Sequence, residues 1–366
     1  MRILHIHSSF GTGGIETMVN ALANEMSSLG ENVSVCSIFK PSRDQILWTS
    51  LSPKITKFSL DKVSTGISFK EIFKIYRLIK RENFDVVHIH GFFAYYMLSS
   101  FLLHHKIKFV YTVHSDAKME GGIWDRRLFL MKKYFFRHKW LHPVTISPES
   151  QRSFSEYYHN CDNILIPNGI KSPDNDEVDL SEFRNTTATK LLINVGRIDV
   201  PKNQVTLCKC VTRLINENYD VALIIAGPIS EVTIMNQIKT YLSDRVHYIG
   251  SINNASSYFR NCNALVMPSI YEGLPVTLLE AMSVGCLPIC SPIGGMKNVI
   301  INGKNGLLSD SADESDYYNC LLRYLSTPEE DIKEMEKQAE NDFHQKYHIS
   351  ITAKKYLDYY HKITSI

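Results

Sequence analysis

The chain of 366 residues lacks any run of about eighteen consecutive apolar residues, so no stretch of it reads as a membrane-spanning helix. It also lacks a C-x-x-C pair. Its eight cysteines are scattered, and several (Cys36, Cys262, Cys286, Cys290) fall in or beside apolar segments, where a thiol behaves as a small hydrophobe. Such usage points to a reduced, cytoplasmic setting. A large charge of one sign is missing too. The net charge is +2, divided as 21 Lys+Arg against 14 Asp+Glu in residues 1–170 and 19 against 24 in residues 171–366. That asymmetry hints at different partners for the two halves, and it is too small and diffuse for nucleic acid.

A dinucleotide fingerprint is absent as well. The chain opens MRILHIHSSFGTGG, which reads as a first β-strand running into glycines and not as a secretion signal. After the Gly11–Gly14 loop, Ile15, Met18, Val19, Leu22, Ala23, Met26 and Leu29 share one helical face, Gly30 stops the helix, and residues 32–39 make a second strand. A G-x-G-x-x-G motif would need glycine where Glu16 stands, and strand two ends in Lys40 with no acid to hold a ribose. An NAD-linked oxidoreductase is therefore a weak alternative.

What is present is a long alternation of strands and helices, which predicts a doubly wound parallel α/β sheet. It breaks at the polar, turn-rich residues 168–189 and resumes at Leu191–Val195, so two Rossmann-like domains are expected, 1–168 and 169–349. A tyrosine-rich helix, 350–366, closes the chain.

The second series centres on residues 268–285, PSIYEGLPVTLLEAMSVG, between apolar segments that read as strands. Gly273 permits positive φ, Pro275 suits a first helical position, and Gly285 ends the helix. The free amides at the helix start make an anion site. Glu272 and Glu280 would span about 12 Å if fully helical, beyond the roughly 5 to 9.5 Å of a glycosidase pair. They read better as two separate acceptors for hydroxyl groups, or as a plain cap and a solvated acid. Upstream, Gly196-Arg197 closes a strand, with Lys202 and Asn203 close behind; cations there would neutralise a diphosphate.

Glu272, Gly273, Pro275, Glu280 and Ala281 match an E-x7-E signature, and Gly196, Arg197, Lys202 and Asn203 a G-R-x-x-x-x-K-N arrangement. By these residues the chain resembles glycosyltransferase family 4, retaining, nucleotide-sugar-dependent enzymes of the GT-B fold. The resemblance implies two domains facing a cleft, an acceptor-binding first and a donor-binding second, with the last helix crossing back to the first. It implies that Arg197 and Lys202 hold the donor diphosphate, Glu280 the ribose, and Glu272 the donor sugar. Gly273, Leu274, Pro275, Val276 and Thr277 would line sugar and phosphates, with Gly196 beside them and Gly227 next to the base. In the first half, Gly13-Gly14-Ile15-Glu16 resembles the family's glycine loop, approaching donor and acceptor, with a plain strand-to-helix turn as the lesser alternative. His114 resembles the histidine near the transferred sugar, and His90 is a weaker candidate on the acceptor side. Asp116 is left to the acceptor pocket or the surface, because retaining members do not need a dedicated base.

His88 and His90 form an H-x-H pair with no third ligand at a sensible spacing, so no metal and no cofactor is expected. Residues 126–140, RRLFLMKKYFFRHKW, mix six Lys/Arg with aromatics. They read either as a core-packed helix with a solvated basic face or as a peripheral contact with an anionic membrane presenting a lipid-linked acceptor. The activity implied is transfer of a hexose-type sugar from a UDP- or GDP-sugar to a hydroxyl of a glycan, as in bacterial capsular, exopolysaccharide or lipopolysaccharide assembly. A GT-B epimerase or hydrolase, or a non-catalytic sugar-nucleotide-binding protein, is the alternative.

Overall fold

A computed structural model describes residues 1–11, 13–41, 45–64, 66–91, 93–114, 116–120, 126–173, 176 and 178–365, with backbone only at 93, 119, 120, 126 and 127. The chain divides into two units, Met1–Lys171 with Ile349–Ile366, and Ser172–His348.

In the first unit the strands are β1 (Arg2–His7), β2 (Asn32–Phe39), β3 (Thr56–Lys62), β4 (Val86–Ile89), β5 (Lys108–Val113), β6 (His142–Thr145) and β7 (Ile164–Leu165). They pair in the order 3-2-1-4-5-6-7, all parallel. Residues 3–7 of β1 and all of β4 are buried, as expected for strands covered on both faces by crossover helices. The helix Gly14–Ser28 buries Met18, Val19, Leu22, Ala23 and Met26, five positions of the face read from periodicity.

The second unit holds β8 (Lys190–Val195), β9 (Val221–Ala226), β10 (Val246–Tyr248), β11 (Ala264–Met267), β12 (Leu287–Cys290) and β13 (Leu307–Leu308) in the order 10-9-8-11-12-13, again parallel. In each sheet the strand order reverses beside the first strand, between β1 and β4 and between β8 and β11. Ligands of open α/β sheets bind beyond the strand C-termini at such switch points.

The last helix, Ile349–Thr364, belongs to the first unit. Ile349 N–H donates to Ile170 O (2.8 Å), and Tyr356 and Tyr360 are fully buried. Tyr360 OH lies 2.6 Å from His88 Nδ1 and Tyr356 OH 3.0 Å from Thr112 Oγ1, so this helix is keyed to the ends of β4 and β5 by polar groups as well as by packing. All eight cysteines are buried and unpaired. Burial pushes the Cys36, Cys208, Cys210 and Cys262 thiols up to about 12, which makes them packing groups and not nucleophiles.

Candidate active site

At the switch point of the second unit, Asn194 Nδ2 donates to Val266 O (2.7 Å) and ties β8 to β11. The turns that leave β8 and β9 then press together. Gly227 has φ +144°, and a Cβ on it would stand 1.8 Å from Gly196 O, so only glycine permits the approach. The Lys202 side chain lies over Gly196, and Asn203, at φ +57°, donates from its amide to Pro268 O (3.0 Å) and Ala312 O (3.1 Å). Lys202 is thereby fixed at the end of β11. Its ammonium pairs with Glu272, whose same carboxylate oxygen accepts from Ser269 Oγ at 3.2 Å. Arg197 remains largely exposed, 3.2 Å from the buried carboxylate of Asp199.

The helix expected to run from Pro275 to Gly285 spans Val276–Met282, with Pro275 as its N-cap and Gly285 at φ +71° closing the chain reversal. Its N-terminus has no side-chain cap, so the first amides are open to an anion. Gly273 does not use positive φ, contrary to expectation. The tight approach comes from Gly294 and Gly295: Gly294 has φ +55°, its Cβ would lie 2.0 Å from Glu272 O, and Gly295 N–H donates to Gly273 O (2.6 Å). Glu272 is thus held by a glycine pair that sequence reasoning did not single out, although IGG at 293–295 was the visible signal. Leu274, Pro275 and Val276 are buried, and Thr277 is half-buried at the helix start. Glu280, one turn further in, is half-buried yet deep enough at its carboxyl for desolvation to lift it to about 7.

The first unit gathers histidines. His5 and His7 on β1, His88 on β4, His90 just after it, and His114 just after β5 sit at neighbouring strand ends. His90 Nδ1 lies 3.0 Å from His114 Nε2, and His5 Nδ1 lies 3.4 Å from His90 Nε2. His88 bonds Thr112 Oγ1 (2.7 Å) on one side and Tyr360 OH on the other. Burial pulls His5 and His114 down to about 3 and His88 and His90 well below the usual imidazole range, so the network is neutral at physiological pH. His90, expected on the acceptor side, is 1% exposed and stands behind His114.

The third ligand missing from the sequence around His88 and His90 is supplied by β1: donor nitrogens of His5, His88 and His90 lie within 4.8 Å of one another. No spacing rule links residue 5 to residue 88; parallel pairing of β1 and β4 puts them opposite each other. A cation held by His88 would displace its bond to either Tyr360 or Thr112, both of which are made here, so the cluster reads as a hydrogen-bond network.

Gly13 and Gly14 open the first helix, and Glu16 folds back over Gly13 to meet His7 Nε2 at 3.4 Å. The two oxygens of Asp116 accept from Lys118 N–H (2.9 Å) and Ser153 Oγ (2.7 Å), which joins the Ala117–Glu120 turn to the helix Pro148–Tyr157. In the helix Arg126–Arg137, Lys132 turns inward, with Nζ 2.8 Å from Tyr111 OH and 3.9 Å above that ring, so the basic stretch is not uniformly outward.

Comparison with known proteins gives the same architecture. The model for Glycosyltransferase Family 4 matches residues 12–172, and that for Glycosyl transferases group 1 matches residues 177–342. The chain is 22% identical over 251 residues to the uncharacterized glycosyltransferase MJ1607 of Methanocaldococcus jannaschii, covering 62% of each chain. It is 25% identical over 329 residues to the UDP-Gal:alpha-D-GlcNAc-diphosphoundecaprenol alpha-1,3-galactosyltransferase of Escherichia coli, covering 80% of this chain and 79% of that one. The solved structure of Anabaena Alr3699/HepE with UDP and glucose superposes with a TM-score of 0.80 at 15% identity, covering all of both chains. The two family models together span both units, so the chain belongs to glycosyltransferase family 4, and the superposition agrees with the GT-B fold.

Proposed function

We propose that the chain transfers a hexose-type sugar from a UDP- or GDP-sugar to a hydroxyl of a glycan or lipid-linked acceptor, with retention of configuration and without a metal, in assembly of a bacterial surface polysaccharide. The observation that carries this reading is the convergence of Lys202, Arg197 and Glu272 on the C-terminal ends of β8 and β11. A departing nucleoside diphosphate gathers negative charge as its bond to the sugar breaks, and two cations beside an uncapped helix start meet that charge without a divalent ion. Glu272 takes sugar hydroxyls, Glu280 the ribose diol, and Gly227 the region of the base. His114 presents a neutral imidazole to the sugar, Gly13 and Gly14 serve the donor, and Glu16 and Asp116 serve the acceptor. The acceptor proton leaves on the diphosphate oxygen, so no ionised side chain acts as base. Support comes from the Escherichia coli relative, whose name specifies UDP-Gal and a diphosphoundecaprenol acceptor, and from the Anabaena structure with UDP and glucose.

The test is release of nucleoside diphosphate from a panel of UDP- and GDP-sugars with and without glycan and lipid-linked acceptors. Release that depends on acceptor is expected. Free sugar formed without acceptor, or no release with any pair, overturns the reading.

A further inference from the structure

Three adjacent parallel strands of the first unit each bring two polar side chains, two residues apart, into one buried network. They are His5 and His7 from β1, His88 and His90 from the end of β4, and Thr112 and His114 from the end of β5. His90 is the hub. Its Nε2 lies 3.4 Å from His5 Nδ1, its Nδ1 lies 3.0 Å from His114 Nε2, and its carbonyl oxygen accepts from His7 Nδ1 at 2.9 Å. Its backbone N–H donates to Ile6 O (3.0 Å), so β1 grips the residue through backbone and side chain together.

A neutral imidazole carries one N–H and one lone pair, so a ring that accepts at one nitrogen donates at the other. Burial keeps His5, His90 and His114 neutral, which leaves their chain two states. In the first, His5 Nδ1–H donates to His90 Nε2, His90 Nδ1–H donates to His114 Nε2, and the proton of His114 sits on Nδ1. In the second every bond is reversed, the proton of His114 sits on Nε2, and His5 is left with an N–H at Nε2. The surroundings of His5 decide between them. His5 is fully buried, and its Nε2 meets no hydrogen-bond partner among the described residues. The neighbouring His88 ring is taken at both nitrogens, by Thr112 Oγ1 and by Tyr360 OH, so it offers His5 no acceptor. A buried N–H without an acceptor is among the rarest unsatisfied groups, whereas a bare lone pair is tolerated better, so the first state prevails.

We propose that His90 is a positioning residue for sugar transfer: fed by His5, it holds His114 with its proton on Nδ1, so that His114 meets the sugar as a hydrogen-bond donor. The inference rests on the reading of His114 as the residue beside the transferred sugar. It moves His90 from contact with the acceptor to control of a neighbour, in keeping with its burial. An isolated histidine side chain prefers its proton on Nε2, so the chain of bonds imposes the less common form.

The experiment is magnetic resonance of the histidine ring nitrogens in the isotope-labelled full chain, with the signals of His114 assigned by their loss in His114→Gln, beside steady-state kinetics of His90→Asn and His90→Leu. Asn and Leu share one branched shape, but the Asn amide nitrogen takes the place of His90 Nδ1 and can donate to His114. The proton of His114 is expected on Nδ1 in the wild type and in His90→Asn, and on Nε2 in His90→Leu. kcat should fall about tenfold in His90→Leu, the scale of one hydrogen bond, and stay within about threefold in His90→Asn. Nucleoside diphosphate affinity, carried by Arg197 and Lys202 in the proposed reading, should stay within about twofold in both. A purely structural role would lower the melting temperature and kcat of both variants alike and leave the proton of His114 in place. A wild-type proton on Nε2 of His114 overturns the proposal, as does native kcat in folded His90→Leu or an equal loss of kcat in the two variants. The wild-type spectrum decides even where a variant fails to fold. If no acceptor yields nucleoside diphosphate, the sugar-transfer reading fails, and the spectrum still tests the histidine chain, so the two failures are told apart.

Discussion

Lys202 and Glu272, seventy positions apart in sequence, form an ion pair at the end of β11, with side chains 19% and 9% exposed. Each was assigned on sequence grounds to a different part of the donor, and the fold makes them partners. The pair presets the charge balance of the site: Glu272 orients the ammonium, and Ser269 fixes the carboxylate.

Glu272→Ala is predicted to lower kcat by about 10²–10³-fold, the scale of losing one transition-state contact, while nucleoside diphosphate affinity changes by less than about threefold. Lys202→Ala should lose both. Steady-state kinetics with titration calorimetry separates the two, and native activity in Glu272→Ala would remove that residue from the site. Because the pair is only partly exposed, its loss should cost between ~1 kcal/mol for a surface pair and ~3 kcal/mol for a buried one.

Glu280 supplies a pH dependence. Its folded value of about 7 lies above the ordinary carboxylate range, so the folded state holds its proton between pH 4.5 and about 7. Its contribution to stability is complete below the unfolded value and is lost as pH rises through about 7, by at most roughly 3 kcal/mol. The ionised form is the better acceptor for a ribose diol, so nucleotide affinity should rise from pH 6 to 8 and be flat in Glu280→Gln. Calorimetry across that range checks it; a flat wild-type profile refutes the ribose assignment.

The glycine contacts predict a graded series. Gly227→Ala and Gly294→Ala drive a Cβ to 1.8 Å and 2.0 Å from backbone carbonyl oxygens, and each should cost several times the ~1–2 kcal/mol of placing alanine at positive φ. Gly30→Ala, at φ +93° with nothing within 4 Å, should cost only that strain. Urea denaturation of the three variants tests the order, and equal losses would show that strain, not the close approach, dominates.

Tyr360→Phe removes the bond to His88 and leaves a buried ring nitrogen unsatisfied, at about 1–3 kcal/mol. A lower melting temperature is expected. The pH profile of activity between 5.5 and 8 should carry no ionisation of His114, since burial keeps it at about 3; an inflection near 6.5 that disappears in His114→Gln would contradict its neutral state.

Much of the fold was legible because it rests on local chemistry. Apolar runs with turn residues marked β1, β2, β8 and β9 to within a residue or two, and the Met18–Met26 stripe gave the buried face of the first helix. Glu272, Pro275 and the G-R-x-x-x-x-K-N stretch were legible for the same reason, since each motif is contiguous. The Ala117–Glu120 turn was not read, because its start depends on Ser153 from another helix.

By itself, then, the sequence determined the order of strands and helices, the position of the donor motifs and the family, since propensity, periodicity and short motifs act over a few neighbouring residues. Only the tertiary structure decided which distant groups meet. Parallel pairing of β1 with β4 set His5 beside His88, close backbone packing made Gly294 the support of Glu272, and the facing of two helices sent Lys132 into the core while leaving Phe69 and Phe73 in water. Such contacts depend on strand order and on which side of each helix the sheet covers, and neither is written in any local run of residues.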